Sequence, residues 1–328
     1  MKQRQLGKGG PMVGEVGLGA MSFGGIFGAT TEAESHRTLD KALELGVTHI
    51  DTALIYGPLT SEEVIGRYLK ANPAARHRFS IATKGGFRIN PRGISNEAGF
   101  LWECLEGSLR RLGVDHVDLY YVHRRDQSIP IEEVTGTLAT FIKEGKIGGI
   151  GYSEISPASL ERASKVHHIR AVQSEYSLAT RLPELGMLQA CERLGTAFVA
   201  FSPLARGILS TATLDPAKFP DEFRRNMPRF SAENYPSNME YVERFKAHAK
   251  ARGQSPAALA NAWLLRRAPH IIPIPGTRSA EHIAECAISS AITLSPADMI
   301  EIEAILPAGW AHGHRYSEEQ QKSSELYC

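Results

Sequence analysis

The sequence predicts an α/β fold, a closed (β/α)8 TIM barrel, and three observations carry that prediction. Four times, at Gly46, Gly113, Gly145 and Gly195, an amphipathic stretch ends at a glycine and passes directly into an apolar run. Glycine just past a helix adopts the left-handed conformation that other residues reach only at a cost, so each joint reads as helix, cap and buried strand. Shorter apolar runs near 16–20, 79–83, 171–173 and 271–274 bring the strands to about eight, and repeated βα units demand a parallel sheet covered on both faces. Finally, the turn after the first run lacks the phosphate-binding fingerprint of an open doubly wound sheet: Gly17-Leu-Gly19 has no third glycine and leads into Ala-Met-Ser-Phe-Gly-Gly.

A chain of 328 residues, 42% of them hydrophobic, is long enough for two ordinary domains or one large barrel, and the repeat selects one barrel domain over 1–328. Residues 1–15 are expected to form an N-terminal hairpin. Helices are expected near 32–45, 61–70, 97–112, 130–144, 156–166, 184–194 and 255–267. In the third of these, Leu101, Leu105, Leu109 and Leu112 recur at intervals of four and three, which places one stripe against a core. The segment 203–237, rich in proline and arginine, is too long for an ordinary βα loop, and we read it as a loop shaping the cofactor and substrate site. The tail 307–328 carries Trp310, His312, His314 and Tyr316, and either folds across the barrel mouth or frays.

Charge and composition narrow the partners. Lysine plus arginine (37) nearly cancels aspartate plus glutamate (36), which excludes the basic footprint of a nucleic-acid binder and points to a small molecule. Nowhere are there about 18 consecutive apolar residues, and Met1 to Pro11 offer no apolar stretch for a signal peptide, so a cytoplasmic location without membrane contact is expected. Cys104, Cys191, Cys286 and Cys328 are scattered without metal-type spacing, which predicts reduced thiols and no metal. Oligomeric state is left open.

In a barrel of this kind the chemistry lies where the strands end. There the sequence places Asp51, in Asp51-Thr-Ala-Leu-Ile-Tyr56-Gly57, then Lys84, His123, Ser153, Gln173 and Phe201-Ser202-Pro203. Singly, each has a plain structural explanation: a cap, a solvated charge, a packed histidine. Together they place Asp, Tyr, Lys and His at one mouth. A lysine held near a tyrosine favours the phenolate and is expected to lower the tyrosine pKa from about 10. An aspartate paired with that lysine keeps it charged and oriented. A nearby histidine can donate a hydrogen bond to a carbonyl oxygen as negative charge develops on it.

These residues carry a resemblance. Asp51-Thr-Ala-x-x-Tyr56-Gly57, Lys84, Tyr-Tyr-Val-His123, Gly151-Tyr-Ser153, Gln173-Ser-Glu-Tyr176, Phe201-Ser-Pro-Leu204 and Ile274-Pro-Gly276-Thr-Arg278-Ser resemble the aldo-keto reductase superfamily, in order over almost the whole chain. Tyr-Val-His-Arg-Arg-Asp and Phe-Ser-Pro-Leu-Ala-Arg-Gly are similar to its bacterial, fungal and plant branch of general aldehyde and ketone reductases. The resemblance implies NADPH-dependent carbonyl reduction, with NADH the lesser cofactor, Tyr56 as acid and base, Lys84 and Asp51 as the pair that tunes it, and His123 orienting the carbonyl. It implies that Gln173 and Ser153 hold the carboxamide above Phe201, and that Gly19, Met21 and Asp51 lie close by. Ser202, Pro203, Leu204, Arg206 and Gly207 would follow the pyrophosphate, with Pro275, Gly276, Thr277, Arg278, His282, Glu285 and Cys286 toward the adenosine.

Two positions depart from the pattern: Glu154 stands where asparagine or arginine is usual, and Cys286, a weak hydrogen-bonding partner, stands where an asparagine commonly touches the adenine. Expected pocket residues are Phe23, Phe27, Phe87, Arg124, Arg125 and Trp310, whose aromatic walls suit a bulky apolar carbonyl. A second reading is a cofactor-binding regulatory subunit resembling the potassium-channel β subunits. A third, a barrel isomerase or lyase acting on a phosphorylated substrate, is disfavoured because Ser-Pro-Leu-Ala-Arg replaces the phosphate-binding glycine loop.

Overall fold

In the computed structural model the described residues are 1–219 and 222–327; Pro220 and Asp221, inside the expected 203–237 loop, and Cys328, the last residue of the expected tail, lie outside them. A hairpin, β1 (Gln3–Gln5) and β2 (Met12–Gly14), precedes the first barrel strands, β3 (Leu18–Gly19), β4 (His49–Asp51) and β5 (Ser80–Gly85). A small hairpin follows, β6 (Phe87–Arg88) and β7 (Gly93–Ile94), and then β8 (Leu119–Val122), β9 (Ile150–Ser153), β10 (Ile169–Glu175), β11 (Ala197–Phe201) and β12 (Ile271–Ile274). Eight strands run parallel in the order β3-β4-β5-β8-β9-β10-β11-β12. The Gly17 and Gly19 amides donate to the carbonyls of Pro273 (2.9 Å) and Pro275 (3.1 Å), and Gly19 bridges Gly276, so the first and last strands meet and the barrel closes.

The continuous apolar runs are explained by the two cores they must fill. Leu119 and Tyr121 of β8 point into the barrel with Ala82, Val199 and Ile272, whereas Tyr120 and Val122 face the surrounding helices. The helix Ala98–Leu112 presents Leu101, Leu105, Leu109 and Leu112 to that outer core, all buried as their spacing predicted. Each such burial is worth about 2 kcal/mol. Gly46 and Gly113 end their helices in the left-handed region at φ 80° and 66°, and their amides return to helical carbonyls. Serine or threonine N-caps start the helices Glu32–Leu45, Pro157–Ser164, Pro256–Arg267 and Ala280–Ala287.

The N-terminal hairpin closes one end of the barrel. Leu6 and Val13 join the inner core, and Arg4 donates to the carbonyls of Leu265, Ala268 and Ile271 while pairing with Glu15 at 3.1 Å. The strand C-termini at the other end are left for the site.

Several elements were not expected. The helix Tyr235–Ala251 begins inside the 203–237 segment, Pro296–Ile305 follows near the end of the barrel, and the β6–β7 hairpin lies beside the mouth. Residues 203–237 are otherwise built of short turns of helix, at Ala205–Gly207, Pro216–Lys218 and Pro228–Phe230, with Glu222–Arg225 between them.

Of the two outcomes left open for the tail, the structure takes the first: it folds across the mouth. Trp310 is buried and donates to the Leu178 carbonyl at 2.8 Å. Both oxygens of buried Glu154 accept from Arg315, and one also accepts from the Glu175 amide at 3.0 Å. The Glu325 carboxylate accepts from Arg125 at 3.1 Å and from the Ser156 amide at 2.8 Å. Glu154, the departure noted in the sequence, is therefore the anchor of this tail.

Burial pushes the Glu154 carboxyl up, but Arg315 beside it reverses this and holds it down to about 2, against an ordinary 4.5. A folded pKa below the unfolded one stabilises above the unfolded value, so this contribution is present above about pH 4.5 and is lost as pH falls toward about 2. Glu154→Gln should cost about 3 kcal/mol in urea unfolding at neutral pH, because it strands a buried guanidinium. The difference from the parent should shrink between pH 4.5 and 2. A variant as stable as the parent at pH 7 would show that the pair does not hold the tail.

Candidate active site

Side chains from six strand ends and one turn converge at the open mouth. Lys84 lies near the end of β5, a strand buried at every residue, and its ammonium has no exposure to solvent. Such a charge survives only if every proton finds an acceptor. Nζ donates to Asp51 at the end of β4, to the Thr52 carbonyl at 2.9 Å and to the Tyr56 hydroxyl at 3.1 Å, which uses all three. The second Asp51 oxygen accepts from Gln173 Nε2 at 2.7 Å.

Tyr56, 9% exposed, stands edge-on to His123, with ring centres 5.8 Å apart, and Phe87 packs on His123 at 5.0 Å. His123 Nδ1 is buried without a partner, which leaves Nε2 as the edge open to a ligand. Burial, with Arg124 and Lys84 adding to it, holds the imidazole pKa well below 6.5, so the ring is neutral. Burial pushes the Lys84 ammonium down, but Asp51 and Tyr56 beside it push it up further, and it stays charged.

The expected lowering of the Tyr56 pKa is corrected by the structure. Burial pushes the phenol above 10, Lys84 pulls it back without cancelling the rise, and Asp51 adds to it. The lysine's charge is partly spent on Asp51, and the phenol keeps its proton across the neutral range.

These groups open on a cavity of about 1300 Å³. Asp51, Tyr56 and His123 line it, with Lys84 behind the wall. All the residues proposed for the cofactor line it too: Gly19, Met21, Ser153, Gln173, the run Phe201 to Leu204, Arg206, Gly207, Pro275 to Arg278, His282, Glu285 and Cys286. Of the expected pocket residues, Phe27, Phe87 and Arg124 line the cavity. Phe23, Arg125 and Trp310 do not. Phe23, 2% exposed, turns into the helical core, Arg125 is committed to Glu325, and Trp310 pins the tail. The cavity also takes Arg92 and Ile94 from the unexpected hairpin, Phe223 from the long loop and Tyr316, Ser317 and Gln320 from the tail. Only Tyr316 had a sequence signal, as one of the ring side chains noted in the tail.

The residues fit a dinucleotide. The volume exceeds the common range for small-ligand sites, about 300–1,000 Å³. Ser202, Ala205 and Arg206 hold φ of 49°, 47° and 62°, three of the five non-glycine residues at positive φ among those described. Strain of about 1–3 kcal/mol at each such residue persists where surrounding structure enforces it, and a backbone bent this way makes an anion-binding concavity. The helix Ala280–Ala287 begins at the cavity wall; Ser279 caps its His282 amide, and the positive end of the helix suits a second anionic group.

A closed parallel barrel with a Lys–Asp–Tyr–His group at its C-terminal mouth defines the class, a barrel oxidoreductase. The chain belongs to the Aldo/keto reductase family, whose sequence profile matches residues 15–307. It is 37% identical over 309 residues to an aldo-keto reductase of Schizosaccharomyces pombe whose name carries NADP(+), covering 92% of this chain and 91% of that one. It is 36% identical over 322 residues to an aldo-keto reductase of Strobilurus tenacellus, covering 95% and 94%. Among solved structures, a glycerol dehydrogenase from Gluconobacter oxydans matches with a TM-score of 0.83 at 27% identity, over 93% of this chain and 94% of that one.

Lys84→Met should leave Asp51 buried with Gln173 as its remaining side-chain partner and cost about 3 kcal/mol in denaturant unfolding. It should also raise the Tyr56 pKa further, seen as a shift of phenol ionisation to higher pH in ultraviolet titration. Unchanged stability would show that the ammonium is not a buried, paired charge.

Proposed function

We propose that this protein reduces an aldehyde or ketone to the alcohol with NADPH, reversibly, and that Tyr56 delivers the proton. The observation that carries the reading is Lys84 bridging Asp51 and Tyr56 beneath the cavity, with a neutral histidine on the far side of the tyrosine. A bound nicotinamide supplies the hydride. The residues do the rest.

His123, neutral and open at Nε2, donates to the carbonyl oxygen as charge grows there. Tyr56 holds its proton in the resting site because burial disfavours the phenolate, and gives it up to a developing alkoxide, a far stronger base. The phenolate left behind lies against the Lys84 ammonium, 3.1 Å away, which stabilises it when it forms. Gln173 and Ser153, each fixed by a hydrogen bond within the wall, would hold the carboxamide, with Phe201 as an aromatic floor.

The NADPH preference is supported by the name of the Schizosaccharomyces pombe relative and by two cations at the adenosine end, Arg37 and Arg278. Arg278 donates to the Phe27 carbonyl at 3.2 Å. Glu34, near both arginines, accepts through one carboxylate oxygen from the Thr31 amide and hydroxyl at 2.8 and 2.9 Å, in the cap of its helix. A guanidinium there can meet the 2′-phosphate that distinguishes NADPH from NADH.

Tyr56→Phe should keep the ring and cofactor binding and lower turnover by about two to four orders of magnitude, measured as NADPH absorbance on the best aldehyde of a panel. A near-parental rate would assign the proton to another group. Arg278→Ala should weaken NADPH by about 1.5–3 kcal/mol and NADH little, from dissociation constants by fluorescence quenching. Equal losses for both cofactors would assign Arg278 to loop support, and a parent that favours NADH would overturn the cofactor assignment.

A further inference from the structure

Arginines are numerous at the mouth of the barrel, and four of those close to Arg124 are paired with carboxylates. Arg125 pairs with Glu325 at 3.1 Å, Arg206 and Arg229 with Glu175 at 2.8 and 3.5 Å, and Arg315 with Glu154 and, at 3.9 Å, Glu175. Arg124 has none within 4.0 Å among the described residues. Glu154, whose charge reaches Arg124, already gives both oxygens to Arg315. The guanidinium is nonetheless part of the cavity wall, next in sequence to His123.

Its hydrogen bonds show which edge is spent. Nη1 donates to the His123 carbonyl at 2.7 Å and to Ser153 Oγ at 3.0 Å, which uses both of its protons. Nη2 donates one proton to the Tyr316 hydroxyl at 3.2 Å, and buried Nε has no partner. Nε and Nη2 form the side-on fork of an arginine, the pair of parallel N–H groups that a carboxylate meets with both oxygens. Tyr316, on the tail and in the cavity wall, meets only the Nη2 arm of that fork, with a single neutral hydroxyl. A buried donor without an acceptor beside a cation without an anion marks a position built for a charged ligand.

We infer that Arg124 reads a carboxylate on the substrate, so that the favoured substrates are carbonyl compounds bearing an acid group, which displaces the Tyr316 hydroxyl from Nη2 and closes on the Nε–Nη2 fork. The aromatic rings of Phe27 and Phe87, which also line the cavity, then hold the carbon frame between the two polar ends. The inference rests on the reductase reading for the reacting carbonyl, and on geometry alone for the anion.

The test uses the full chain with NADPH and the three carboxybenzaldehyde isomers, each beside its methyl ester. At least one acid should exceed its ester in kcat/KM by about tenfold or more, the equivalent of about 1.4 kcal/mol. Within each variant the acid-to-ester ratio serves as its own control: Arg124→Gln should bring it to about one or below, Arg124→Lys should keep part of it, and Tyr316→Phe should keep it all. Calorimetry adds a readout without turnover, in which benzoate binds the NADP+-saturated parent and not Arg124→Gln. Esters reduced as well as every acid, or an acid preference that survives in Arg124→Gln, would overturn the inference and leave the reductase reading standing. Benzoate that binds only without NADP+ would assign the cation to the cofactor and overturn it too. Arg124-dependent benzoate binding with no aldehyde reduced would instead uphold the anion site and sink the reductase reading.

Discussion

A lysine ammonium without contact with water is the constraint around which this mouth is arranged. Taking such a charge out of water costs several kcal/mol even after relaxation, and only a full set of acceptors offsets it. Those acceptors come from the end of one strand and the turn that leaves it: Asp51, the Thr52 carbonyl and the Tyr56 hydroxyl. Meeting the charge therefore dictates where β4 must end relative to β5 and how the chain leaves it. The turn is forced against the one after β3, where a Cβ on Gly57 would lie 2.4 Å from the Gly24 Cα and one on Gly24 2.5 Å from the Gly57 amide nitrogen. No side chain fits at either position, and the glycine after Tyr56 is part of what places the phenol.

The second constraint is the cluster of guanidinium and carboxylate groups that ties the late chain to the barrel. Glu154 and Glu175 belong to the strand ends, whereas Arg206, Arg229 and Arg315 belong to the long loop and the tail. These segments bury Ile208, Leu209, Phe219, Met227, Phe230 and Trp310 in the helical core, and the buried ion pairs fix them at the mouth as well. Such pairs add little net stability compared with apolar packing, but breaking one is expensive, which suits them to fixing the position of a wall. Asn238 extends the same logic outward: its amide donates to the Arg229 and His312 carbonyls at 3.1 and 3.0 Å, joining the loop to the tail.

What the sequence made legible was what periodicity and strand ends report. The glycine joints, the leucine stripe of Ala98–Leu112 and the residues after each apolar run located the eight strands, most of the helices and the residues that line the cavity. The helix Tyr235–Ala251 escaped because its buried stripe, Asn238, Val242, Phe245 and Ala249, is narrow and opens on a polar residue kept inside by its hydrogen bonds. Phe23 and Trp310 lie on segments expected at the mouth, yet neither lines the cavity. A turn at Ala20–Gly24 sends the first into the helical core, and the Leu178 carbonyl draws in the second. Glu154 stands where asparagine or arginine is usual, and its role was not legible because its partner, Arg315, lies 161 residues away, a distance over which sequence spacing carries no contact information.

The error in the Tyr56 pKa is the more instructive one, because the pairwise reasoning behind it was correct in sign. Lysine beside tyrosine does favour the phenolate, and here it is outweighed by burial of the hydroxyl and by the aspartate that shares the lysine. The same burial that makes the Lys84 charge costly makes a phenolate costly too, so neither effect can be read without the other. On the proposed reading this suits the direction of reduction. The acid arrives with its proton already in place, and the ammonium acts at the moment when the phenolate forms, when two opposite charges in a poorly solvated site attract most strongly. Oxidation of an alcohol would have to begin from the disfavoured phenolate, so on this reading the rate of oxidation rises with pH as the phenol ionises.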